Sequence, residues 1–261
     1  MTGVATRSLA AVTHVPPRSL EAGERTFASR APIDHARALA QHDAYCDTLL
    51  ALGCEVITLD VNAEFPDAVF VEDTAVVLDE VAVLALPGAP SRRGEVPGIA
   101  GTLARYRPLA RISLPGTLDG GDVVRVGRTL LVGASTRTNA DGARGLAEIG
   151  RAHGYTVGVV PIRDCLHLKS ACCPLPDGRL LVNARYLPTD GLAGFDLVQV
   201  PAEEPHAADV LTVGNDVILS ASHPRTADLI RGLGFEVHAL EVSEFEKAEG
   251  GVTCLSLIFS R

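Results

Sequence analysis

The stretch that decides the fold runs from Asp122 to Ile162 and reads DVVRVGRTLLVGASTRTNADGARGLAEIGRAHGYTVGVVPI. Two short apolar runs flank Gly127-Arg128, which is the pattern of a β-hairpin around a tight turn. Asp141–His153 follows with helical spacing and stops at Gly154, a residue type that commonly ends helices. Tyr155–Ile162 is rich in Val, as buried strands are. This order predicts a hairpin–helix–strand unit.

The same unit recurs along the chain. Segments that resemble its closing strand begin at intervals of 55, 46, 40 and 40 residues, so five comparable units are expected. A further segment, 188–193, is too short for a full helix. The predicted closing strands are Cys54–Leu59, Leu109–Leu114, Tyr155–Ile162, Phe195–Val200 and Phe235–Val242; the hairpins lie at 73–86, 122–132, 171–183 and 209–220, and the helices at 35–52, 94–106, 141–153 and 226–233.

The two chain ends each carry a lone strand pattern. Four hairpins and five closing strands leave one unit incomplete, and Ser8–Val15 and Val252–Phe259 are the segments without a partner. Pairing them completes the fifth hairpin and closes a ring, which leaves no exposed sheet edge between the ends. The sequence therefore predicts an α/β chain of five repeated units, with residues 1–261 as a single domain closed by its N- and C-terminal strands.

Composition narrows the possible partners and the compartment. The 261 residues include 23 basic and 32 acidic ones, and this balance argues against nucleic acid as a partner. No apolar run approaches the ~18 residues of a membrane helix, and Met1–Pro17 lacks the apolar segment of a signal peptide. The six cysteines lack zinc-ligand spacing and are expected as reduced thiols. We expect a cytoplasmic protein that binds neither nucleic acid nor membranes.

The starts of the hairpins carry most of the candidate chemistry. In a ring of repeats these positions point toward the common axis, so side chains distant in sequence meet there. An acid, a histidine or a cysteine recurs at this register beside Val, Leu and Gly. The five segments are Glu72-Asp73, Asp119-Gly-Gly-Asp122, His167-Leu-Lys-Ser170, His206-Ala-Ala-Asp209 and Gly250-Gly-Val-Thr-Cys254.

Five longer motifs include most of these positions. They are Phe70-Val-Glu-Asp-Thr-Ala-Val-Val77, Pro87-Gly-Ala-Pro-Ser-Arg-Arg93, Thr117-Leu-Asp-Gly-Gly-Asp-Val123, Leu166-His-Leu-Lys-Ser170 and Gly251-Val-Thr-Cys-Leu-Ser256. In sequence and order they resemble the dimethylarginine dimethylaminohydrolase family of the guanidine-modifying (pentein) superfamily, and they cover nearly the whole chain. The resemblance implies a five-bladed α/β-propeller, in agreement with the repeat count.

The resemblance implies three catalytic residues. Cys254 is the expected nucleophile, because a guanidinium carbon is a poor electrophile and requires a thiolate. His167 is the expected general acid and base, because an amine leaves badly as an anion. Asp119 would orient the imidazole and favour its charged form. The alternative for an arbitrary cysteine or histidine is a structural role in the core, and it is retained for the other residues of both types.

Seven further residues are implied as the substrate-binding set. Glu72 and Asp73 would hold the guanidinium, since buried carboxylates require cationic partners; an internal salt bridge is the alternative reading. Arg92 and Arg137 would grip the α-carboxylate, although Arg93 is an equally basic neighbour. Asp67 and a backbone carbonyl at Ala248 would lie near the α-amino group. Leu20 would belong to a lid over the site.

The resulting hypothesis is a hydrolase of Nω-methylated arginine that forms citrulline through a covalent thiouronium intermediate. No metal or organic cofactor is expected, and the partner is a cationic small molecule; the protein would be a monomer or homodimer. Three alternatives stay open. They are an arginine deiminase-like or other guanidine hydrolase of the same fold, a non-catalytic binder of arginine-like cations, and an interaction module with eroded motifs.

Overall fold

The computed structural model describes residues 8–261, and within that span it contains five three-stranded sheets. In each sheet an antiparallel hairpin is extended by a third strand, which runs parallel to one strand of the hairpin. The predicted five-unit α/β architecture is confirmed. The strands are β1 (Leu9–His14), β2 (Cys54–Leu59), β3 (Ala75–Val77), β4 (Ala82–Leu84), β5 (Leu109–Arg111), β6 (Val123–Val126), β7 (Thr129–Ala134), β8 (Thr156–Pro161), β9 (Cys172–Pro174), β10 (Leu180–Val182), β11 (Leu197–Gln199), β12 (Val210–Val213), β13 (Asp216–Ser220), β14 (Glu236–Leu240) and β15 (Leu257–Ser260).

Helical segments make the parallel crossovers within each sheet. Four crossovers are α-helices, and the segment judged too short for one is a 3-10 turn, Thr189–Leu192, between β10 and β11. We call the sheets blade 1 (β15, β1, β2), blade 2 (β3–β5), blade 3 (β6–β8), blade 4 (β9–β11) and blade 5 (β12–β14). The helices are α1 (His35–Ala51), α2 (Val96–Leu103), α3 (Ala140–Ala152), α4 (Pro224–Gly232) and the short α5 (Ser243–Glu246).

Local signals determine where two of these helices begin and end. The side chain of Asp34 accepts the backbone N–H of Arg37 at the start of α1, and Asn139 accepts that of Gly142 at the start of α3. After these helices the chain reverses at Gly53 and Gly154, whose φ angles are +84° and +78°. A residue with a Cβ is strained in that left-handed region, so glycine is required for the reversal.

The two ends of the chain close the ring in blade 1. Strand β1 lies in the middle of its sheet, antiparallel to β15 and parallel to β2. Ala10 is opposite Phe259 and Val12 is opposite Leu257, so the terminal strands share a register. The predicted pairing of Ser8–Val15 with the C-terminal segment is confirmed.

The C-terminal strand is shorter than predicted. The apolar pattern indicated a strand over Val252–Phe259, but β15 begins only at Leu257, and the residues before it form turns. The reason is that Thr253 donates its backbone N–H to Asp209 Oδ1 at 3.1 Å instead of to a neighbouring strand. The segment that contains Cys254 is therefore held at the axis of the ring, outside the sheet.

The apolar core consists of five clusters, each lying between neighbouring blades of the described chain. Alternation along β1 divides its side chains between two clusters. Ala10 and Val12 face blade 2 and pack with β4 and α2, whereas Ala11 faces blade 5 and packs near Phe245. Each sheet thus buries both of its faces against its neighbours.

Three further expectations from the sequence concern membrane-spanning helices, the cysteines and the number of domains. Within residues 8–261 no helix is long and apolar enough to cross a membrane. All six cysteines lie in this span and are free thiols, as expected. The single domain predicted over 1–261 stays a prediction, and its first seven residues lie outside the described part of the chain.

Closing blade 1 makes a stability test possible. We expect Val12→Asp, which places a carboxylate in a fully buried position of the central strand, to lower the free energy of unfolding by about 3–5 kcal/mol. Val159→Asp in β8 is the matched control, since Val159 is 56% exposed. Urea unfolding of both variants measures the difference. Equal midpoints would contradict a ring whose stability depends on β1.

Candidate active site

A small pocket at the axis of the ring gathers most of the predicted site residues. Its volume is about 20 Å³, and we call it the central pocket. Lining residues from three distant parts of the chain, among them Asp73, His167 and Cys254, reach it from the turns that precede the hairpins. Predicted residues on its wall are Asp67, Asp73, Arg92, Arg137, His167, Ala248 and Cys254, and they are joined there by Glu24, Phe70, Leu166, Glu249 and Gly250.

His167 sits between two carboxylates. Its Nε2 is 3.1 Å from Oδ2 of Asp119, and its Nδ1 is 3.7 Å from Oδ1 of Asp73. Asp119 is itself held by the backbone N–H of Gly88, which donates to Oδ1 at 2.8 Å. Gly121 lies against the imidazole, and a Cβ there would come within 2.6 Å of Nδ1. The imidazole is therefore contacted by a carboxylate at each of its two nitrogens, and the orienting role of Asp119 stays a prediction.

The charges around His167 keep it protonated. Burial alone would lower the pKa of the imidazole, because it disfavours the charged form. Asp73, Asp119 and Asp122 outweigh this effect and raise the pKa to about 10. At neutral pH the residue is an imidazolium that can donate a proton within the pocket.

Cys254 lies in the turn before β15 and is 9% exposed. The backbone N–H of Gly251 donates to its Sγ at 3.5 Å. Two glycines permit this close approach, since a Cβ on Gly250 would reach within 2.1 Å of the Phe70 ring and one on Gly251 within 2.3 Å of Asp209. Burial raises the pKa of the thiol well above its usual range, and the charges of Asp209, Glu72 and Asp73 add to the rise. Without a bound cation the sulfur is therefore a thiol.

Glu72 is ion-paired on one oxygen only. Its Oε1 is 2.5 Å from Nζ of Lys169, while Oε2 is buried and has no hydrogen-bond partner within residues 8–261. Burial raises the pKa of this carboxyl to about 7, and Lys169 works against that rise. An unpaired buried oxygen is costly, so the site has room for one more donor. Glu72 lies behind the central pocket and lines a second cavity of about 240 Å³.

Asp73 and Arg92 form a buried ion pair. Nη1 of Arg92 is 2.5 Å from Oδ2 of Asp73, and the backbone N–H of Gly121 donates to Oδ1 at 3.0 Å. Burial would raise the pKa of Asp73, but His167 and Arg92 lower it to about 2. Arg92 makes further contacts with Glu95 and with two backbone carbonyls. The internal salt bridge considered from sequence is thus present, and the binding roles of Asp73 and Arg92 stay predictions.

Arg137 is less fully engaged than Arg92. It is buried on the pocket wall, and its guanidinium makes one hydrogen bond within the described chain, from Nη2 to Oγ1 of Thr26 at 3.3 Å. Most of its N–H donors therefore remain available to a ligand carboxylate. Arg93, the alternative to Arg92, is half-buried and donates from Nε to the carbonyl of Pro87. Its contact is with the loop and not with the pocket.

The connection between β1 and α1, residues 15–34, covers the pocket and is called the lid. Leu20 belongs to the lid, and its side chain is buried, with 1% exposed. Oδ2 of Asp67 accepts the backbone N–H of Glu24 at 3.0 Å. The carboxylate of Glu249 accepts three successive backbone N–H groups, those of Thr26, Phe27 and Ala28. Asp67 thus lines the central pocket, whereas Leu20 is not among its lining residues and packs in a core cluster with Ala248 and Cys254; its lid role stays a prediction. Glu249 is a contact that the sequence did not indicate.

Asp73, Asp119 and His167 offer ligand atoms within 4.8 Å of one another, which is a spacing compatible with a metal ion. Their chemistry fits a proton relay better. Arg92 already neutralises Asp73, and the raised pKa of His167 keeps a proton on the nitrogen that a metal would need. The expectation of a metal-free site stays a prediction.

Comparison with known proteins finds no matching family model. The chain is 38% identical over 250 residues to N(G),N(G)-dimethylarginine dimethylaminohydrolase of Pseudomonas aeruginosa, covering 95% of this chain and 98% of that one. It is 41% identical over 248 residues to the protein of the same name from Streptomyces coelicolor, covering 95% of each. A solved structure of the Pseudomonas aeruginosa enzyme, a cysteine-to-serine variant complexed with citrulline, superposes with a TM-score of 0.91 at 36% identity. It covers 97% of this chain and 99% of that chain.

A five-bladed α/β-propeller with a cysteine, a histidine and carboxylates on its axis defines an enzyme of the guanidine-modifying class. Identity of this level over nearly the whole chain places it more narrowly. The chain belongs to the dimethylarginine dimethylaminohydrolase family.

The charge of His167 can be tested directly. We expect Asp119→Asn to lower the pKa of His167, because the amide keeps the shape of the carboxylate but removes its charge. Titration of ¹⁵N-labelled imidazoles by NMR measures the shift. Asp216→Asn is the matched control, since it alters a half-exposed pair with His238 at 2.8 Å, far from the pocket. An unchanged His167 titration in Asp119→Asn would show that Asp119 does not support the imidazolium.

Proposed function

We propose that this protein hydrolyses Nω-methylated arginine to citrulline and a methylated amine, with Cys254 as the nucleophile and His167 as the general acid and base. One observation carries the proposal: a thiol and an imidazolium from distant turns line the same buried pocket. The activity named for both bacterial relatives and the citrulline bound to the solved neighbour support the substrate class.

The distribution of charge in the pocket fits an amino acid with a cationic side chain. The free oxygen of Glu72 and the carboxylate of Asp73 supply negative charge at the depth of Cys254, where the guanidinium would lie. Arg137 supplies unpaired donors for the α-carboxylate. Asp67 and the carbonyl of Ala248 would face the α-amino group. Leu20 would close over the ligand from the lid.

The first half-reaction forms a covalent bond to sulfur. The cationic substrate lies beside the thiol and favours its ionised form, so that Cys254 releases its proton to solvent and its Sγ attacks the guanidinium carbon. The bond between that carbon and the methylated nitrogen then breaks. His167 transfers its proton to this nitrogen, and the amine departs as a neutral molecule that water protonates. A thiouronium adduct on Cys254 remains.

The second half-reaction releases citrulline. The neutral imidazole left by the first step takes a proton from a water molecule as the water attacks the same carbon. The carbon–sulfur bond breaks, the remaining hydroxyl proton passes to the departing sulfur through solvent, and the ureido group of citrulline forms with Cys254 restored as a thiol. Asp119 holds the imidazole in place through both steps. These steps use no metal or organic cofactor, and they require only one chain, whether the protein is a monomer or a homodimer.

The nucleophile is tested by substitution at Cys254. We expect Cys254→Ser to lower citrulline release from dimethylarginine by roughly a thousandfold or more, because a hydroxyl supplies almost no anion at neutral pH. Cys46→Ser, in α1 and half-buried, is the matched control and should turn over like the wild type. The assay includes monomethylarginine and arginine, so a preference for arginine would favour the deiminase-like alternative. Full activity of Cys254→Ser would exclude it as the nucleophile.

Separate roles for the thiol and the imidazole can be distinguished by mass spectrometry. We expect His167→Gly to stop hydrolysis of dimethylarginine, whose amine needs a proton, yet to form an adduct with a guanidine analogue that bears a thiol leaving group. The adduct should map to the peptide containing Cys254. An adduct on Cys165, Cys172 or Cys173 in place of Cys254 would contradict the assignment.

The proposed binding of the guanidinium is tested at Glu72. Of the two acids Glu72 and Asp73, Glu72 makes fewer contacts, because its Oε2 has no hydrogen-bond partner within residues 8–261. In a Cys254→Ser background we expect Glu72→Gln to weaken dimethylarginine binding by roughly tenfold to a hundredfold, the effect of one lost contact of about 1.5–3 kcal/mol. Binding of citrulline, whose side chain is uncharged, should change much less. Calorimetry with both ligands makes the comparison.

Glu204→Gln serves as the control for that measurement. Glu204 is also buried, but it accepts backbone N–H groups at the start of α4, away from the pocket. Equal losses for the cation and for citrulline in Glu72→Gln would mean that the Glu72–Lys169 pair is structural only.

A further inference from the structure

Two carboxylates on the axis, the buried Asp122 and the half-buried Asp209, take no part in the steps above. Asp122 and Asp209 occupy the hairpin-start register of blades 3 and 5, the positions held by Glu72-Asp73 in blade 2. Both face inward beside the reactive residues, since the charge of Asp122 acts on His167 and that of Asp209 acts on Cys254. Their contacts follow one rule.

Each carboxylate accepts a backbone N–H from the turn of the next blade. Oδ1 of Asp122 accepts that of Leu168 at 3.0 Å, and Leu168 directly follows His167. Oδ1 of Asp209 accepts that of Thr253 at 3.1 Å, and Thr253 directly precedes Cys254. The peptide unit adjoining each reactive residue is thus tied to a carboxylate of the preceding blade.

Close packing leaves these carboxylates little freedom. A Cβ on Gly133 would come within 2.7 Å of Oδ1 of Asp122, and one on Gly251 within 2.3 Å of Oδ2 of Asp209. Side-chain hydroxyls occupy the second oxygens: Ser135 donates to Asp122 at 2.5 Å, and Thr253 donates to Asp209 at 3.3 Å. The contacts of Asp209 therefore lie in the turn that carries Cys254, while Asp122 joins the turn that carries His167 to Ser135, directly after β7 of its own blade.

We propose that Asp122 and Asp209 are the positioning residues of the site, with Asp122 fixing the turn of His167 and Asp209 fixing the turn of Cys254. The inference rests on the proposed function for the roles of those two side chains. A charged acceptor holds an N–H about twice as strongly as a neutral one, which suits turns that lack sheet partners. A misplacement of about 1 Å in such a site can cost on the order of a hundredfold in rate.

The charges of the two residues give readouts that a structural role alone would not. The groups facing Cys254 are Asp209, Glu72 and Asp73, with Lys169 opposing them, so removing one negative charge makes the thiol easier to ionise. The carboxylates acting on His167 are Asp73, Asp119 and Asp122, with a weaker effect of Asp209, so removing one makes the imidazolium easier to deprotonate. Burial raises the pKa of both Asp122 and Asp209 to about 6. Above about pH 7 both are ionised, and their charges are present.

The experiment compares Asn and Ala at each position, because Asn keeps an acceptor oxygen and Ala keeps none. In the full-length protein above pH 7 we expect Asp209→Asn to move the pH midpoint of Cys254 alkylation by iodoacetamide downward, with a smaller downward shift of the His167 midpoint than Asp122→Asn produces. Asp122→Asn should lower the NMR midpoint of His167 and leave the alkylation midpoint nearly unchanged. Each Ala variant should lose a further tenfold or more in kcat relative to its Asn partner, with little change in KM.

Glu204→Ala is the matched control, since it removes a buried carboxylate that also accepts backbone N–H groups but lies at α4. If Asp122→Ala and Asp209→Ala only lower Tm, as Glu204→Ala should, and leave kcat and both midpoints unchanged, the inference is overturned. If an Ala variant does not fold, the midpoints of the Asn variants decide. If wild-type protein releases no citrulline, the proposed function fails, whereas the alkylation and NMR midpoints still test the placement of the two turns.

Discussion

Each blade of this protein is a three-stranded sheet that is apolar on both faces, and no blade can bury both faces alone. The blades therefore pack in a ring, in which every apolar cluster of the described chain is shared by neighbouring blades. The division of β1 makes the point, since Val12 faces one neighbour and Ala11 the other. Burial at roughly 25 cal/mol per Å² of apolar surface favours closure over any open arrangement. Since blade 1 is built from both chain ends, closure of the ring also fixes where its axis lies.

Closing the ring forces the turns before the hairpins to converge, and their backbone N–H groups need acceptors that no strand supplies. Carboxylates from adjacent blades take that role: Asp73 accepts Gly121, Asp122 accepts Leu168 and Asp209 accepts Thr253. This use of carboxylates leaves the axis with more acidic than basic side chains. Within residues 8–261, five carboxylates at the axis, Glu72, Asp73, Asp119, Asp122 and Asp209, outnumber the four cationic side chains of the site, Arg92, Arg137, His167 and Lys169. A site assembled in this way favours a cationic ligand before any specific contact is considered.

The repeat could be predicted from sequence because its signals are local. Turn residues such as Gly53 and Gly154 and the Val-rich run of β8 are determined by neighbours in the chain, and their bounds agree with the structure to within a residue or two. The turn before β15 could not be predicted, because its apolar residues fit a strand equally well. What removes it from the sheet is a hydrogen bond to Asp209, 44 residues away.

The same distinction applies to the site. The recurrence of acids at one register located the axis, and resemblance supplied roles for individual residues. Pair partners were not readable: nothing local indicates that Arg92 bonds to Glu95 and Asp73 together, or that Glu249 receives three N–H groups of the lid. Those contacts depend on backbone geometry, including the left-handed conformation of Glu249 at φ +60°. The register of a residue can be read from the repeat pattern, whereas its hydrogen-bond partner is determined only in the folded ring.

The protonation states of Cys254 and His167 follow from this arrangement and bear on how the proposed reaction begins. Burial and three carboxylates hold the sulfur as a thiol, while Asp73 and Asp119 hold the imidazole as an imidazolium, so both groups carry their protons in the free protein. The carboxylates that stabilise the imidazolium also oppose ionisation of the thiol. The charges of the protein alone therefore cannot favour the imidazolium and the thiolate together. A guanidinium placed beside Glu72 supplies the missing positive charge at the sulfur without removing the proton from His167. On the proposed function, the nucleophile therefore ionises only when the substrate is present, and the acid is already charged when the amine must leave.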